Sequence, residues 1–183
     1  MVDLPPAPAD LSFAEAGRDD VAAVVALVES AFRGEESRRG WTTEADYLDG
    51  QRTDEERVAA LVADPLTRVL LARVDGELVA CCVLRSLEGG RARLSMLAVA
   101  PGRQGEGIGR TVLDEAGRRA AEVLGASTLE LAVLSPRREL FDWYARRGFR
   151  PTGRLEPFPY GDPRSGMPRR DDLSLVVLER PLA

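Results

Sequence analysis

The sequence predicts a mixed α/β protein built around a central sheet. Three observations carry this: strand-like apolar runs joined by tight turn signals, helical apolar periodicities between them, and a glycine-rich segment that joins a strand to a helix. With 183 residues, the chain suits a single domain over residues 11–183, preceded by a loose Pro/Ala-rich tail at 1–10.

Leu11 to Ala16 reads as the first strand. Asp19 and Asp20 then open a helix, because acidic residues suit a first turn. Val21, Val24, Val25, Val28 and Phe32 follow helical spacing. Residues 33–53 are polar and irregular. Thr53 and Glu56 fit a capping box, with Thr53 as N-cap, and predict a short helix that turns Val58, Leu61 and Val62 inward and ends before Pro65.

Three antiparallel strands follow. Asp75-Gly76 is a hairpin turn between 68–74 and 77–87, and Glu88-Gly89-Gly90 leads into a third strand over 91–99. A helix over about 109–124 carries the stripe Val112, Leu113, Ala116, Ala120, Val123, Leu124 and stops at Gly125. Residues 128–134 return to a strand. Ser135-Pro136 then supplies an N-cap serine and a first-turn proline for a helix that Gly148 ends. Phe149 enters another strand, 155–172 form a Pro/Gly/Arg-rich loop, and 173–178 are the last strand.

Composition excludes several chemistries. The chain has no histidine, which removes Ser-His and Cys-His nucleophilic arrangements and argues against a zinc or other metal site. Cys81 and Cys82 are adjacent in a strand and point to opposite faces, so they read as small buried residues rather than a disulfide. The net charge is -5, with all 25 basic residues arginine. An acidic chain without a basic run predicts no nucleic-acid partner. No apolar run has the roughly 18 residues of a membrane helix. The start has neither basic nor apolar leader regions. The expectation is a cytoplasmic protein without a membrane partner.

The most informative stretch runs from Leu94 to Arg110. A strand enters a turn whose glycines let backbone N–H groups converge, and the turn opens a helix whose N-terminus favours anions. A nucleotide P-loop would need Gly-Lys-Ser/Thr at its end, and the chain has no lysine. A dinucleotide site would need G-x-G-x-x-G in a parallel βαβ unit. Here the spacing is G-x-G-x-G, after antiparallel strands.

Gln104-Gly105-Glu106-Gly107-Ile108-Gly109, after the strand exit Val99-Ala100-Pro101, resembles the acetyl-CoA signature of the GNAT acetyltransferases, Gln/Arg-x-x-Gly-x-Gly/Ala. Tyr144-Ala145-Arg146-Arg147-Gly148-Phe149 is similar to a second family motif, Tyr-x-x-x-Gly-Phe. The resemblance covers about residues 11–180 and implies a mostly antiparallel central sheet flanked by helices on both faces. It implies that N–H groups of Gln104, Gly105, Gly107 and Gly109 hold the CoA pyrophosphate, with Ile108 in the same turn and Arg110 nearby. Leu97 and Val99 would pair with the pantetheine arm, and Ser135, where many members have Asn, would touch it. Tyr144 would protonate the departing thiolate, and the Leu97 N–H would face the oxyanion.

The implied activity is transfer of acetyl from acetyl-CoA to a primary amine by direct attack in a ternary complex. A non-catalytic acyl-CoA-binding module is the alternative, and a longer acyl group stays open. The strand 91–99 has no carboxylate to serve as base. Glu130 is a candidate for that role, though a solvated surface glutamate is the plainer expectation. By family analogy the acceptor site falls at about 33–53 and 155–172. Glu36 and Trp41 there suit a cationic amine. Tyr160 stands among arginines that suit a carboxylate or phosphate. A small-molecule or peptide amine is expected as partner, and a homodimer through edge strands is compatible with this sheet.

Overall fold

The computed structural model describes residues 8–182. Residues 1–7 of the expected tail lie outside the described residues. The strands are β1 (Ser12–Glu15), β2 (Leu48–Asp49), β3 (Thr67–Val74), β4 (Glu77–Leu87), β5 (Arg91–Val99), β6 (Thr128–Leu134), β7 (Arg150–Pro157), β8 (Met167–Pro168) and β9 (Ser174–Pro181). The α-helices are α1 (Val21–Phe32), α2 (Gly34–Ser37), α3 (Glu55–Ala63), α4 (Ile108–Glu122) and α5 (Arg138–Ala145). Seven strands form one sheet in the order β1-β3-β4-β5-β6-β9-β7. Every pairing in it is antiparallel except β5–β6. The two short strands β2 and β8 make a separate antiparallel pair inside the segments expected to be irregular.

Helices cover both faces. Alternation along β3 and β4 divides the core: Val69, Leu71, Cys81 and Val83 pack under α1 and α3, while Leu70, Ala72, Cys82 and Leu84 pack under α4 and α5. Both cysteines are buried free thiols on opposite sides of the sheet. Each fully buried aliphatic side chain contributes about 1.5–3 kcal/mol. Leu113 of α4, with no exposed surface, is typical. The β3–β4 hairpin turns on Asp75 and Gly76, at φ +50° and +82°, the left-handed pair that a two-residue turn of this hand requires.

β5 breaks its alternation midway. Cys81 faces Ala98 and Val83 faces Ser95, so two steps along β4 match three along β5. The extra residue is accommodated at Met96, whose φ is +50°. This bulge switches the side chains: Ala92 and Leu94 point to the α4 side before it, Leu97 and Val99 after it, and Met96 turns to the α1 side. It also ends the partnership with β6. The parallel pairing covers only Arg91–Arg93 with Thr128–Glu130, and beyond it the strands diverge.

Three local expectations need correction. The N-cap of α3 is Asp54, whose carboxylate accepts from the Arg57 N–H at 2.8 Å; Thr53 is buried and its own N–H donates to Glu29. Ser135 does not cap α5. Its N–H donates to the Ser174 carbonyl and its hydroxyl accepts from the Ser174 N–H, so it prolongs the β6–β9 pairing, and α5 starts at Arg138. Glu130 is not solvated: it is 1% exposed and paired with Arg91, Arg93 and Arg154.

Candidate active site

The divergence of β5 and β6 opens a cavity of about 520 Å³. Leu94–Leu97 and Val99 form one wall, Leu131–Leu134 the opposite wall, and Leu140, Trp143 and Tyr144 of α5 the floor. Residues of the glycine-rich turn line it, as do Phe32, Arg33, Glu44, Arg52 and Phe158.

The turn presents free backbone donors at the head of α4. Gly105 and Gly107 sit at φ +93° and +78°, a region closed to most side chains at low cost, and Gly107 is the N-cap of α4. Among the described residues, the N–H groups of Gly105, Glu106, Gly107, Ile108 and Gly109 have no backbone or side-chain acceptor. Five consecutive donors at the positive end of a 15-residue helix suit a phosphate or pyrophosphate. The Gln104 N–H does not join them; it makes a long contact, 3.4 Å, to the Pro101 carbonyl.

The rim beside the cradle is basic. Arg110, Arg146 and Arg147 line the cavity and none has a carboxylate within ion-pair distance among the described residues. Arg147 lies with its guanidinium 3.6 Å from the centre of the Trp143 ring, and burial, then Arg146 and Arg110, hold its pKa below the usual arginine value. Uncompensated guanidiniums at a rim raise the local concentration of polyanions.

Tyr144 sits at the centre of the floor. Its ring meets Trp143 at 4.9 Å and Phe149 at 5.4 Å, both edge to face. Among the described residues no side-chain hydrogen bond involves its hydroxyl, and Tyr144 lines the cavity. Burial pushes its pKa well above the ordinary tyrosine value, with Cys82 adding to the shift. The phenol therefore keeps its proton at every ordinary pH.

A strap crosses the cavity mouth. The Gln104 side chain accepts from the Trp41 N–H at 2.9 Å and donates to the Thr42 hydroxyl at 2.9 Å and the Val99 carbonyl at 3.1 Å. From the other wall Arg137, 1% exposed, reaches the Thr42 and Trp41 carbonyls and pairs with Glu139. Trp41 also meets Trp143, 6.1 Å between ring centres.

The cavity thus brings together Leu97, Val99, Gln104, Gly105, Gly107, Gly109, Arg110, Trp41 and Tyr144. Four expected residues do not line it. Ile108 is a core residue under α4, with only its backbone at the turn. Ser135 faces Ser174. Glu36 is exposed on α2. Tyr160 staples its own loop, accepting from the Leu173 N–H at 2.7 Å. Among the described residues no group of histidine, cysteine or carboxylate side chains is placed to hold a metal, and no helix is long and apolar enough to cross a membrane.

Comparison with known proteins agrees with this architecture. The profile of the Acetyltransferase (GNAT) family matches residues 22–149. The chain belongs to the GNAT family, and it is an acyltransferase. Comparison with curated protein sequences gives no match. Among solved structures it is similar to the ribosomal-protein-S18-alanine N-acetyltransferase from Escherichia coli (17% identity, 94% of each chain covered, TM-score 0.68). It is also similar to nourseothricin acetyltransferase (21% identity, 95% of this chain and 99% of the other, TM-score 0.65). A third is a chimera of a spermidine N-acetyltransferase from Vibrio cholerae (15% identity, 95% of this chain and 96% of the other, TM-score 0.67). At these identities the likeness is one of fold.

Proposed function

We propose that this acyltransferase moves the acetyl group of acetyl-CoA onto a primary amine by direct attack within a ternary complex. The observation that carries the reading is the run of five unpartnered N–H groups at the head of α4, where Gly105, Gly107 and Gly109 line the same cavity as Tyr144. The cradle and the basic rim suit the phosphates of CoA, and the apolar slot between β5 and β6 suits its pantetheine arm. Acetyl-CoA supplies the activated acyl group as a thioester.

In the proposed reaction the amine nitrogen forms a bond to the thioester carbonyl carbon. The Leu97 N–H, on the far side of the bulge, faces the oxygen on which charge develops. The C–S bond then breaks and the Tyr144 hydroxyl gives its proton to the sulfur. The raised pKa of Tyr144 is compatible with this, because a donor must hold its proton until the thiolate departs. The phenolate regains a proton from the new N–H⁺ or from water. Holding both reactants in one slot supplies much of the rate. The base stays unassigned: Glu130 is tied to three arginines on the sheet, and the carboxylates lining the cavity are Glu44 and Glu139.

A cytoplasmic location and a homodimer belong to the same proposal. For the dimer, β7 is an edge strand and Leu155 on it is exposed. A binding module without turnover would keep the cradle but has no use for a protonated, unpartnered tyrosine in the slot. The test is thiol release from acetyl-CoA over a panel of primary amines. The enzyme reading expects release with at least one amine. Binding of acetyl-CoA without release from any amine favours the module.

A further inference from the structure

The acceptor end of the cavity narrows the class of amine, on the reading that acetyl-CoA occupies the cradle. The wide acceptor-side segments 33–53 and 155–172 hold many charged residues, and almost all are occupied away from the cavity. Arg169 makes a two-armed pair with Asp49, Arg170 pairs with Asp172, and Arg164 lies near Asp54 and Glu56. Arg38 takes Asp46 and Glu35. Glu29 accepts from the Arg52 and Thr53 backbone N–H groups.

What remains on the lining is Arg33, Arg52 and Glu44. Two guanidiniums share one carboxylate: Glu44 pairs with Nη1 of Arg33, and Nε of Arg52 lies 3.6 Å from the same Glu44 oxygen. Arg33 is 6% exposed, and its Nε and Nη2 have no partner. It is boxed in from behind, since a Cβ on Gly166 would come 3.0 Å from Nη2. Arg52 is the accessible arm. Its side chain is 30% exposed and its guanidinium lies 5.6 Å from the centre of the Phe32 ring. The Arg33–Glu44–Arg52 group therefore carries one net positive charge, and Phe32, Leu134 and Phe158 line the same cavity. Partly buried positive charge of this kind favours an anionic guest and opposes a second ammonium.

We propose that the acceptor is an amino acid with an apolar side chain, its carboxylate held by Arg52 with Arg33 behind it, and its amine directed toward Leu97 and Tyr144. A monoanion balances the single excess charge. Glu44 holds the two guanidiniums in place rather than receiving the amine. Arg52 is thus a specificity residue.

The experiment is a matched set of acceptors at saturating acetyl-CoA: leucine, methionine and phenylalanine, their methyl esters, and the corresponding amines without the carboxylate. Acetyl-CoA binding is measured separately by calorimetry. The expected result is a kcat/KM for the amino acids at least tenfold above that of ester and amine. Arg52→Met should raise KM for the amino acid about tenfold or more, leave acetyl-CoA affinity unchanged and close the gap to the ester, with Arg52→Lys recovering part of it. If esters or plain amines react equally well or better, or if the amino acids stay inert while acetyl-CoA binds, the inference is overturned and the acetyltransferase reading stands or falls separately. Failure of acetyl-CoA to bind overturns the underlying reading and this inference with it.

Discussion

The side-chain amide of Gln104 holds the backbone N–H of Trp41 at 2.9 Å, although the two residues are 63 positions apart. The first residue of the glycine-rich turn thereby anchors the Trp41–Thr42 segment on the cavity lining. Its amide also donates to Thr42 and to the Val99 carbonyl, so one side chain ties together cradle, strap and the end of β5. Replacement by alanine removes three hydrogen bonds, two of them part-buried and one exposed, each worth about 1 kcal/mol. Gln104→Ala should speed amide hydrogen exchange in residues 40–43 and lower stability by roughly 1–3 kcal/mol. Unchanged exchange in that segment would show that Arg137 alone holds the strap.

Tyr144→Phe keeps the ring against Trp143 and Phe149 and removes only the hydroxyl. A lost general acid costs about 10²-fold or more. The expected outcome in steady-state kinetics is a fall in kcat of that order with KM for acetyl-CoA little changed. A variant with wild-type kcat would remove Tyr144 from the chemistry. Because burial raises the tyrosine pKa, the wild-type rate should show no alkaline loss from this group below about pH 10.

Two glycines of the turn should behave differently. Gly107 has φ +78°, so alanine there is strained by about 1–2 kcal/mol and tilts the free N–H groups. At Gly109 an added Cβ would lie 3.5 Å from Val99 and 3.7 Å from Trp143, ordinary contact distances. Thermal denaturation and acetyl-CoA titration should therefore find Gly107→Ala less stable and weaker in binding, and Gly109→Ala close to wild type in stability.

Acid should weaken the fold through identified carboxylates. Asp64 accepts from the Leu66 N–H, then from the Thr67 hydroxyl, and these hold its pKa below the reference 3.8. A depressed folded-state pKa contributes stability that is present above the unfolded pKa and is lost as pH falls through the folded value. The difference in unfolding free energy between wild type and Asp64→Asn should be full above about pH 5 and shrink as pH falls below the ordinary carboxylate range. A difference that persists unchanged at low pH would mean that Asp64 acts through its shape rather than its charge. Glu156, held low first by Arg93, adds to the same acid limb.

The thiols should be silent. Burial pushes the Cys81 pKa up to about 12 and raises that of Cys82 further. Neither should react with a disulfide reagent at pH 8 until the protein unfolds, since the thiolate is the reactive form. Labelling of the folded protein at the rate of a free thiol would contradict the sheet assignment of β4.

The legibility of this chain divides along physical lines. The hairpin at Asp75-Gly76, the strands 77–87, 91–99 and 128–134 and the glycine-rich turn into α4 were readable because local rules decide them: left-handed turn residues, alternation, and glycines ahead of an amphipathic helix. The bulge was not, because its positive φ falls on Met96 rather than on a glycine. Glu130 looked like a surface residue because its three arginine partners come from two other strands. Ser135 obeyed a local capping rule that the pairing with Ser174 overrode. The same holds for the site. Cradle and Tyr144 lie in contiguous motifs, whereas Arg33, Glu44, Arg52 and Arg137 have no sequence signature, and only the tertiary fold brings them to one cavity.

The central claim is that the head of α4 holds acetyl-CoA. Calorimetric titration of acetyl-CoA into the wild-type protein tests it most directly, with Gly107→Ala as comparison. The expected result is saturable one-to-one binding that Gly107→Ala weakens by tenfold or more. No detectable binding at millimolar acetyl-CoA, or binding that Gly107→Ala leaves untouched, would contradict it.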